Sequence, residues 1–559
     1  MECIQASCMH LFPYPGNRSC RNSNVAVREL LVIARSVEGE TAGDFPPSCS
    51  YGIQGSSSAR RKCREEGFKG QRKFILQANK NLGRNRIDTL ETVDDVVLLG
   101  NIFLHPGAPH RRKSGVCHVI PTIGENNARS TVKAFGDSDS LGKAFSPWVR
   151  GNEYRGERGL NHRLVNAVDA DSVLAEVTEV LARSHWRSAS LLLSPLNSAT
   201  ALHRIAKHMD QASMSKSERL AFARRKEMVE LQNAAIKALP KSSVQGISNI
   251  AWALSKIGGS AIYFGEMDIV AKAASDCVEE FKPQNLANTA GAFASMQHLS
   301  SPLFSSMSQQ ASLVAADFRP QELVQFLWAF ACMNHPLDAF FDSLDSLVQK
   351  GSFMNTSLFK NLSQQQLASI AWSCTVLAQL ERPWFAHLWT TLADHADSWV
   401  IDVDDRQVKD ARHLSQFYQT NLSLQLEYPH LDLSIGSELE RVLSEAWQKE
   451  KANSKCGSIH HKEVDRLLVG TGRNWVCEYT GAEYSVDLAL VESKIALEID
   501  GPTHFSRNAD VLLGHTVLKR RLLSASGWTV IPLPYQEWEE LRGEHERMQY
   551  LHQVLHNYI

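Results

Sequence analysis

The segment Gln245-Gly-Ile-Ser-Asn-Ile-Ala-Trp252 is followed by three segments with a similar order of amide, apolar and bulky residues. The later copies are Gln284-Asn-Leu-Ala-Asn-Thr-Ala-Gly291, Gln321-Glu-Leu-Val-Gln-Phe-Leu-Trp328 and Gln365-Gln-Leu-Ala-Ser-Ile-Ala-Trp372. Their leading glutamines are 39, 37 and 44 residues apart. A period of about 40 residues is typical of stacked two-helix units, which bury their apolar faces only against neighbouring copies. The sequence therefore predicts an α-solenoid.

Each copy predicts one α-helix with an apolar face. In the first copy, apolar residues take the i, i+3, i+4 and i+7 positions of a helical stripe: Ile247, Ile250, Ala251 and Leu254. Pro283 and Pro320 stand at the starts of two of these helices, where a missing N–H breaks no hydrogen bond. A second amphipathic stretch follows each helix, as at residues 264–281. Weaker copies are expected at residues 200–206 and 408–418.

A polar stripe runs along the same helices at positions i, i+4 and i+7. Its members are Gln245, Asn249, Trp252, Gln284, Asn288, Gly291, Gln321, Gln325, Trp328, Gln365, Ser369 and Trp372. Amide side chains offer paired donors and acceptors to base edges, and tryptophan can stack on bases. One helix per repeat presenting such residues is how modular readers of single-stranded RNA work. The Gln and Asn positions, with Ser369, are therefore candidate RNA-binding residues.

Two alternatives stay open for this stripe. A tryptophan at a fixed repeat position is also expected to pack between repeats, and the amides can satisfy backbone groups at helix starts. The chain after residue 150 carries 38 basic and 47 acidic residues, which argues against a large phosphate-binding surface. A helical-repeat scaffold that binds only protein partners is the rival interpretation.

Length and composition bound the remaining possibilities. A chain of 559 residues predicts more than one domain, and its formal net charge of −2 excludes a histone-like coat of positive charge. The eleven cysteines include no Cys-x-x-Cys pair, so neither a zinc ribbon nor a disulfide framework is expected. No run approaches the ~18 apolar residues of a membrane span.

The predicted domain boundaries follow these changes in pattern. Residues 1–155 are expected to be mostly disordered, because the first 150 residues hold 21 basic and 14 acidic side chains without apolar periodicity. Their beginning, with three arginines and one acid in 28 residues, suits an organelle transit peptide or an ordinary disordered tail. The helical repeats are expected at 156–425, a linker at 426–455 and an α/β module at 456–559.

The C-terminal module reads as a mixed sheet with helices. The order is a helix at 464–468, strands at 475–480, 484–491 and 495–500, a helix at 517–525 and a strand at 528–532. Glu492, Ser493 and Lys494 predict a tight turn between the second and third strands, and Gly527 predicts the end of the second helix.

Acidic residues mark the strands of this module. Asp487 lies within one apolar strand, and Glu498 and Asp500 alternate with apolar residues on the next. Two carboxylates facing each other across a hairpin could hold a divalent metal for phosphodiester hydrolysis, with Asp487 and Glu498 as ligands. His504 would then carry the proton and Lys519 would offset transition-state charge. These five residues form the candidate catalytic set, and Mg²⁺ is expected only if the module is catalytic.

A non-catalytic interpretation accounts for the same residues. Asp500 and His504 would cap the turn that begins at Gly501, and Glu498 would pair with Arg520 or Arg521. In that case no metal binds, and the basic helix residues Lys519, Arg520 and Arg521 are candidate phosphate-binding and RNA-binding groups.

An ordered string of motifs at residues 495–555 resembles the RAP domain. It comprises Ala496-Leu-Glu-Ile-Asp-Gly-Pro-Thr-His-Phe505, Leu518-Lys-Arg-Arg-Leu-Leu523, Gly527-Trp528, Ile531-Pro-Leu-Pro-Tyr535 and Glu537-Trp-Glu539. The resemblance implies a module of organelle proteins that functions in RNA binding. The upstream repeats are similar to octotricopeptide-like arrays of algal organelle RNA factors and to the helical regions of FAST-kinase-domain relatives.

The whole C-terminal module is also similar to the very-short-patch-repair-like branch of the PD-(D/E)XK nucleases. On that resemblance Asp487 takes the first acidic position and Glu498 the second, which implies a restriction-endonuclease-like fold. Asp500 stands where the family has a lysine, a departure that counts against cleavage, although Lys519 could substitute.

Together these features predict an organellar RNA-binding protein. Its expected location is the mitochondrial matrix or the chloroplast stroma, and its expected partner is single-stranded organellar RNA, mRNA or rRNA, with further ribonucleoprotein subunits. The expected role is in processing, stability or translation of transcripts. A metal-dependent endoribonuclease and a protein-binding scaffold are the alternatives.

Overall fold

The computed structural model describes residues 147–182, 193–350, 359, 361–397, 412–452, 459–481 and 483–558. The predictions for residues 1–146, including the transit peptide, lie outside the described residues, as does the start of the predicted repeat at 408–418. The described part is mostly helical, with nineteen α-helices and one four-stranded sheet near its C-terminal end. A mainly helical chain that ends in a small mixed sheet was predicted, and this is confirmed.

Fifteen of these helices precede the C-terminal module that contains the sheet. They are α1 (Pro147–Asn166), α2 (Ala170–Ala182), α3 (Pro195–Gln211), α4 (Lys216–Ala223), α5 (Lys226–Ala238), α6 (Val244–Ile257), α7 (Glu266–Ser275), α8 (Pro283–Met296), α9 (Ser301–Leu313), α10 (Pro320–Cys332), α11 (Asp338–Gln349), α12 (Gln364–Val376), α13 (Phe385–Asp397), α14 (Arg412–Leu426) and α15 (Ser437–Ala452). The four sequence copies lie on α6, α8, α10 and α12, and the weak copy at 200–206 lies on α3.

Alternate helices pack side by side in sequence order. Contacts run from α3 to α6, α8, α10, α12 and α14 in turn, and we call these six helices the repeat row. The intervening helices α5, α7, α9 and α11 likewise contact one another in order. Pro283 and Pro320 are the first residues of α8 and α10, as predicted. Each repeat thus contributes one helix to each of two layers.

The space between the layers is filled by aromatic and aliphatic side chains. The ring of Phe326 lies with its centroid 4.6 Å from that of Phe330 on its own helix and 5.4 Å from that of Phe340 on α11. Phe304 on α9 approaches Phe330 to 5.0 Å. All four rings are completely buried, so the apolar stripe of the repeats forms the core.

Helix α15 occupies much of the segment predicted to be a linker at 426–455. Leu439, Leu443 and Trp447 recur every four residues and are all buried. This spacing gives the segment one apolar face, which packs on α14. The strongly charged opposite face explains why the segment resembles a linker in sequence.

The C-terminal module, residues 459–558, is built around four strands. Its elements are α16 (Ile459–Leu468), β1 (Val476–Tyr479), β2 (Val486–Leu490), β3 (Ile495–Asp500), α17 (Gly514–Ala525), β4 (Thr529–Pro534), α18 (Tyr535–Glu540) and α19 (Gly543–Leu555). The sheet order is β1-β2-β3-β4; β3 pairs antiparallel with β2 and parallel with β4. The order of elements agrees with the sequence prediction up to β4.

The two faces of the sheet differ in chemistry. One face carries Leu488, Leu497 and Ile499 into an apolar cluster with residues of α16 and α19, such as Val464 and Leu551. Alternating residues on the other face of β2 and β3 are small or acidic: Asp487, Ala489, Ala496, Glu498 and Asp500. The acidic residues therefore lie inside the module rather than on its surface.

No helix among the described residues is long and apolar enough to cross a membrane.

Candidate functional site

The tryptophans of the polar stripe lie between neighbouring helices of the repeat row. The Trp252 ring is 5.1 Å from the ring of His203 on α3, and Trp372 Nε1 donates a hydrogen bond of 2.9 Å to Gln419 Oε1 on α14. Trp328 is only 2 % exposed. This placement supports packing between repeats over stacking on bases.

The amides of the stripe also bond to one another and to residues of the neighbouring helix. Gln245 Nε2 donates to Asn249 Oδ1 at 3.1 Å, and Asn285 Nδ2 on α8 donates to Gln245 Oε1 at 3.3 Å and to Ser248 Oγ at 3.0 Å. Gln325 packs over Gly291, where a Cβ would lie 2.4 Å from Gln325 Nε2. Gly291 thus replaces the bulky residue of the other copies because Gln325 fills its space.

The predicted RNA-binding amides differ in accessibility. Asn249, Asn288 and Ser369 are buried. Gln365 is exposed, and four others are half-buried: Gln245, Gln284, Gln321 and Gln325. The accessible glutamines other than Gln325 occupy the second position of their helices. Solvent therefore reaches the stripe at the N-terminal ends of the helices that form the row.

The polar face of the sheet brings the candidate catalytic residues together. The β2–β3 register pairs Leu488 with Leu497, which places Asp487 opposite Glu498. Asp487 Oδ2 accepts a hydrogen bond of 2.8 Å from the Ile499 N–H. Lys519 of α17 forms an ion pair with Glu498. The predicted alternative pairing of Glu498 with Arg520 or Arg521 is wrong, because Lys519 is the residue of α17 that faces this strand position.

Asp500 has its own partners in the same layer. It forms an ion pair with Arg520 of α17, and its Oδ1 lies 3.1 Å from His504 Nδ1. His504 follows the turn at Gly501 and is buried, with Thr516 Oγ1 3.3 Å from the same ring nitrogen. Each acidic residue is therefore matched by a basic or imidazole group.

A histidine that the sequence interpretation missed completes this network. His461 Nε2 on α16 lies 3.4 Å from Asp487 Oδ2. Burial would raise the pKa of Asp487, but the charge of Lys519, the bond to His461 and the Ile499 N–H lower it to about 2. For Glu498, burial and the charge of Asp487 outweigh Lys519 and raise the pKa to about 8.

This arrangement does not fit a bound divalent metal. No three His, Cys, Asp or Glu side chains of the described residues are grouped so that they could hold a metal ion. Lys519 and His461 already contact Glu498 and Asp487, so the two proposed ligands have little uncompensated negative charge. The buried Glu498 Oε1 has no hydrogen-bond partner among the described residues.

We expect His461 to make the stability of the protein depend on pH. Burial lowers its pKa, but the hydrogen bond and charge of Asp487, with Glu478 and Glu498, raise it overall. The folded state then holds this proton more tightly, so the stabilisation is complete below the unfolded pKa of about 6.5 and is lost as the pH rises through the folded pKa.

The test compares the wild type with His461→Gln by guanidinium unfolding from pH 6.5 to 8.5. The wild-type free energy of unfolding should fall more steeply with pH than that of the variant. The same slope in both proteins would mean that His461 holds no additional proton.

Arg521, the third basic residue of the predicted RNA-binding helix, faces the repeat row. Its Nε donates to Glu427 Oε1 at 2.6 Å, beyond the end of α14. Its two terminal nitrogens donate to the main-chain oxygens of Thr375 at 2.5 Å and Val376 at 3.2 Å, at the end of α12. With Lys519 and Arg520 paired inside the module, all three basic residues make intramolecular contacts.

Two loop residues that the sequence interpretation also missed bind the repeat row. Arg507 N donates to Gln297 O at 2.8 Å, and Asn508 makes two 2.8 Å hydrogen bonds with the Leu299 backbone. A sequence signal was present in the similar segments 296–299 (Met-Gln-His-Leu) and 333–336 (Met-Asn-His-Pro), which mark a recurrent turn after two repeat helices.

Comparison with known proteins identifies the C-terminal part of this module. The RAP domain matches residues 497–554, close to the 495–555 predicted from the motifs. The match runs from within β3 through α17, β4 and α18 into α19. The RAP prediction is confirmed.

Relatives extend the similarity beyond the RAP domain. A chloroplastic RAP domain-containing protein of Oryza sativa subsp. japonica is 42% identical over 437 residues, which cover 74% of this chain and 68% of the rice protein. The rat FAST kinase domain-containing protein 4 is 25% identical over 339 residues, or 54% of this chain and 51% of the relative. The mitochondrial human FAST kinase domain-containing protein 3 is 38% identical over 65 residues, or 12% and 10%.

The names of these relatives include a chloroplast and a mitochondrial protein, which confirms the prediction at the level of an organellar location. The similarity to the rice protein covers more than two thirds of both chains. This chain belongs to the RAP domain-containing proteins.

Proposed function

We propose that this protein binds single-stranded RNA in an organelle through the N-terminal ends of the helices in its repeat row. We also propose that its RAP domain contributes to processing, stability or translation of the bound mRNA or rRNA. The observation that carries the proposal is the combination of a RAP domain with a row of helices that presents glutamine at the same position of successive repeats. Other ribonucleoprotein subunits are proposed as further partners.

The glutamines suit this role better than the rest of the stripe. Gln284, Gln321 and Gln365 each lie in the first turn of a helix of the repeat row and are wholly or partly accessible. A primary amide can donate and accept at once, which matches the paired groups on base edges. Single-stranded RNA leaves those edges open. Reading one base per repeat is therefore the proposed mode of recognition.

Replacing Gln321 and Gln365 with alanine should weaken binding to a preferred RNA by about 1–3 kcal/mol per lost base contact, if base-edge contacts to RNA resemble those to DNA. The loss should be smaller for RNAs that differ at the contacted bases. Filter binding or fluorescence anisotropy with a set of single-base variants measures both effects. Gln309→Ala, an exposed glutamine on the other helix layer, is the matched control. An equal loss for every RNA would contradict base reading.

The restriction-endonuclease-like fold and metal-dependent RNA cleavage remain implications of the second resemblance. Cleavage would require Glu498 to exchange its ion pair with Lys519 for a metal ion. The network described above gives no specific reason to prefer this. Full-length protein incubated with RNA and Mg²⁺ tests it: cleavage lost in Asp487→Ala and Glu498→Ala, with RNA affinity unchanged, would favour the nuclease.

A further inference from the structure

Three successive helices of the repeat row end in the same turn. After α8, α10 and α12 the chain enters the left-handed region at Gln297, Asn334 and Ala378, with φ of 54°, 49° and 55°. In each case the N–H of the next residue bonds back to the helix, as from His298 to Phe293 O at 3.0 Å. These C-terminal turns lie at the opposite ends of the helices from the first-turn glutamines.

The C-terminal module contacts the ends of all three helices. At α8, Asn508 accepts from the Leu299 N–H and donates to the Leu299 carbonyl, both at 2.8 Å. Arg507 adds a bond of 3.1 Å from its Nε to Gln297 Oε1. Because Asn508 bonds to backbone groups, this contact depends on the backbone conformation after α8 and not on a particular side chain there.

Helix α17 fits between the ends of α10 and α12. A Cβ on Gly514 would lie 1.9 Å from the Ala331 carbonyl oxygen and 2.7 Å from Val376 Cγ1, so only glycine fits this approach. It brings the positive N-terminal end of α17 against the carbonyl end of α10, a favourable arrangement of helix dipoles. About two turns further on, Arg521 bonds to the last carbonyls of α12.

We propose that the C-terminal module acts as a splint, which means that it holds the helices of the repeat row in fixed relative positions. Asn508, Gly514 and Arg521 are then positioning residues for RNA recognition. Repeats in a solenoid contact only their neighbours, so small rotations between them accumulate. Because the C-terminal module bonds to three consecutive repeats, it restricts the rotation of these repeats relative to one another. The RNA part of this inference rests on the proposed function.

Geometry connects the splint to the glutamines. A helix of 13 residues is about 20 Å long, so a tilt of about 5° at its C-terminal end displaces its first turn by about 2 Å. A displacement of that size breaks a hydrogen bond. Undocking of the module should therefore lower both the affinity and the base discrimination of the repeats.

The experiment uses full-length protein and two measurements. Hydrogen exchange without RNA reports on residues 296–299 and 375–379, and anisotropy reports affinity for a preferred RNA and its single-base variants. The variants are Arg521→Ala and Asn508→Ala, with Gly514→Ala as a steric variant. Arg473→Ala, an exposed arginine of the module, controls for charge, and Leu551→Ala controls for lost stability inside the module.

In Arg521→Ala and Asn508→Ala, exchange in the C-terminal turns should accelerate and RNA affinity should fall. The fall should be about tenfold in Arg521→Ala, which loses hydrogen bonds made by a charged group. Discrimination between bases should fall as well, while both controls keep wild-type discrimination. If Gly514→Ala fails to fold, the other two variants still decide. Accelerated exchange with unchanged RNA binding, or equal loss of discrimination in Leu551→Ala, would overturn the inference. If the wild type binds no RNA, the proposed function fails, and unchanged exchange in Arg521→Ala would overturn the splint itself.

Discussion

Replacing Glu498 with leucine should lower the free energy of unfolding by about 3–5 kcal/mol, because it leaves the Lys519 ammonium buried without its partner. Glu498 is 1 % exposed and Lys519 is 8 % exposed, so neither side chain can turn to solvent without opening the module. Leucine has nearly the volume of glutamate, which excludes a cavity as the main cause. Guanidinium unfolding monitored by circular dichroism at pH 7 measures the change.

The double variant Glu498→Leu with Lys519→Met separates the ion pair from the packing. Exchanging both partners for apolar residues of similar size removes the unpaired charge, and such exchanges are often neutral or stabilising. The double variant should therefore recover most of the stability lost in the single variant. A single variant within about 1 kcal/mol of wild type would show that the interaction is not a buried pair of this kind.

Replacing Trp328 with alanine should cost about 3–5 kcal/mol of stability, as for other truncations of large core side chains. Trp328 is 2 % exposed and lies on α10, between its neighbours α8 and α12 in the repeat row. The loss of this volume leaves a cavity where successive repeats meet. Thermal and denaturant unfolding of the full-length protein measures the cost.

Trp328→Phe is the matched control, because it keeps most of the apolar contact and should cost clearly less. Both variants should keep the base preference of the wild type when RNA binding is measured well below the unfolding transition. Wild-type stability combined with a loss of RNA affinity in Trp328→Ala would contradict the packing role and indicate stacking on bases.

Local patterns in the sequence predicted the elements of the fold closely. The repeats identified α6, α8, α10 and α12 because an apolar stripe with helical spacing is visible within eight residues. β3 was predicted at its observed bounds, since its apolar and acidic residues alternate and a short turn precedes it. The direction in which the polar stripe faces was harder to predict. Its tryptophans face neighbouring helices of the repeat row rather than solvent.

Contacts between distant segments could not be predicted in the same way. Asn508 and Leu299 are 209 residues apart, and no periodicity in either segment indicates that they meet. The sequence interpretation assigned the three adjacent basic residues of this helix to RNA, because positive charges pair with phosphate groups as well as with carboxylates of the same protein. Their actual partners are carboxylates and helix-end carbonyls, such as Glu498 and the Thr375 oxygen. Which carboxylate or carbonyl each basic residue contacts depends on the packing of the whole module, and local sequence patterns do not reveal that packing.

We propose that this RAP domain-containing protein binds organellar RNA through its repeat row. Ultraviolet crosslinking of the tagged full-length protein in intact organelles, followed by recovery and sequencing of bound RNA, tests it most directly. We expect enrichment of a small set of organellar transcripts with the wild type, and loss of that enrichment with the Gln321→Ala, Gln365→Ala double variant. A folded, organelle-localised wild-type protein that enriches no transcript over an untagged control would contradict it.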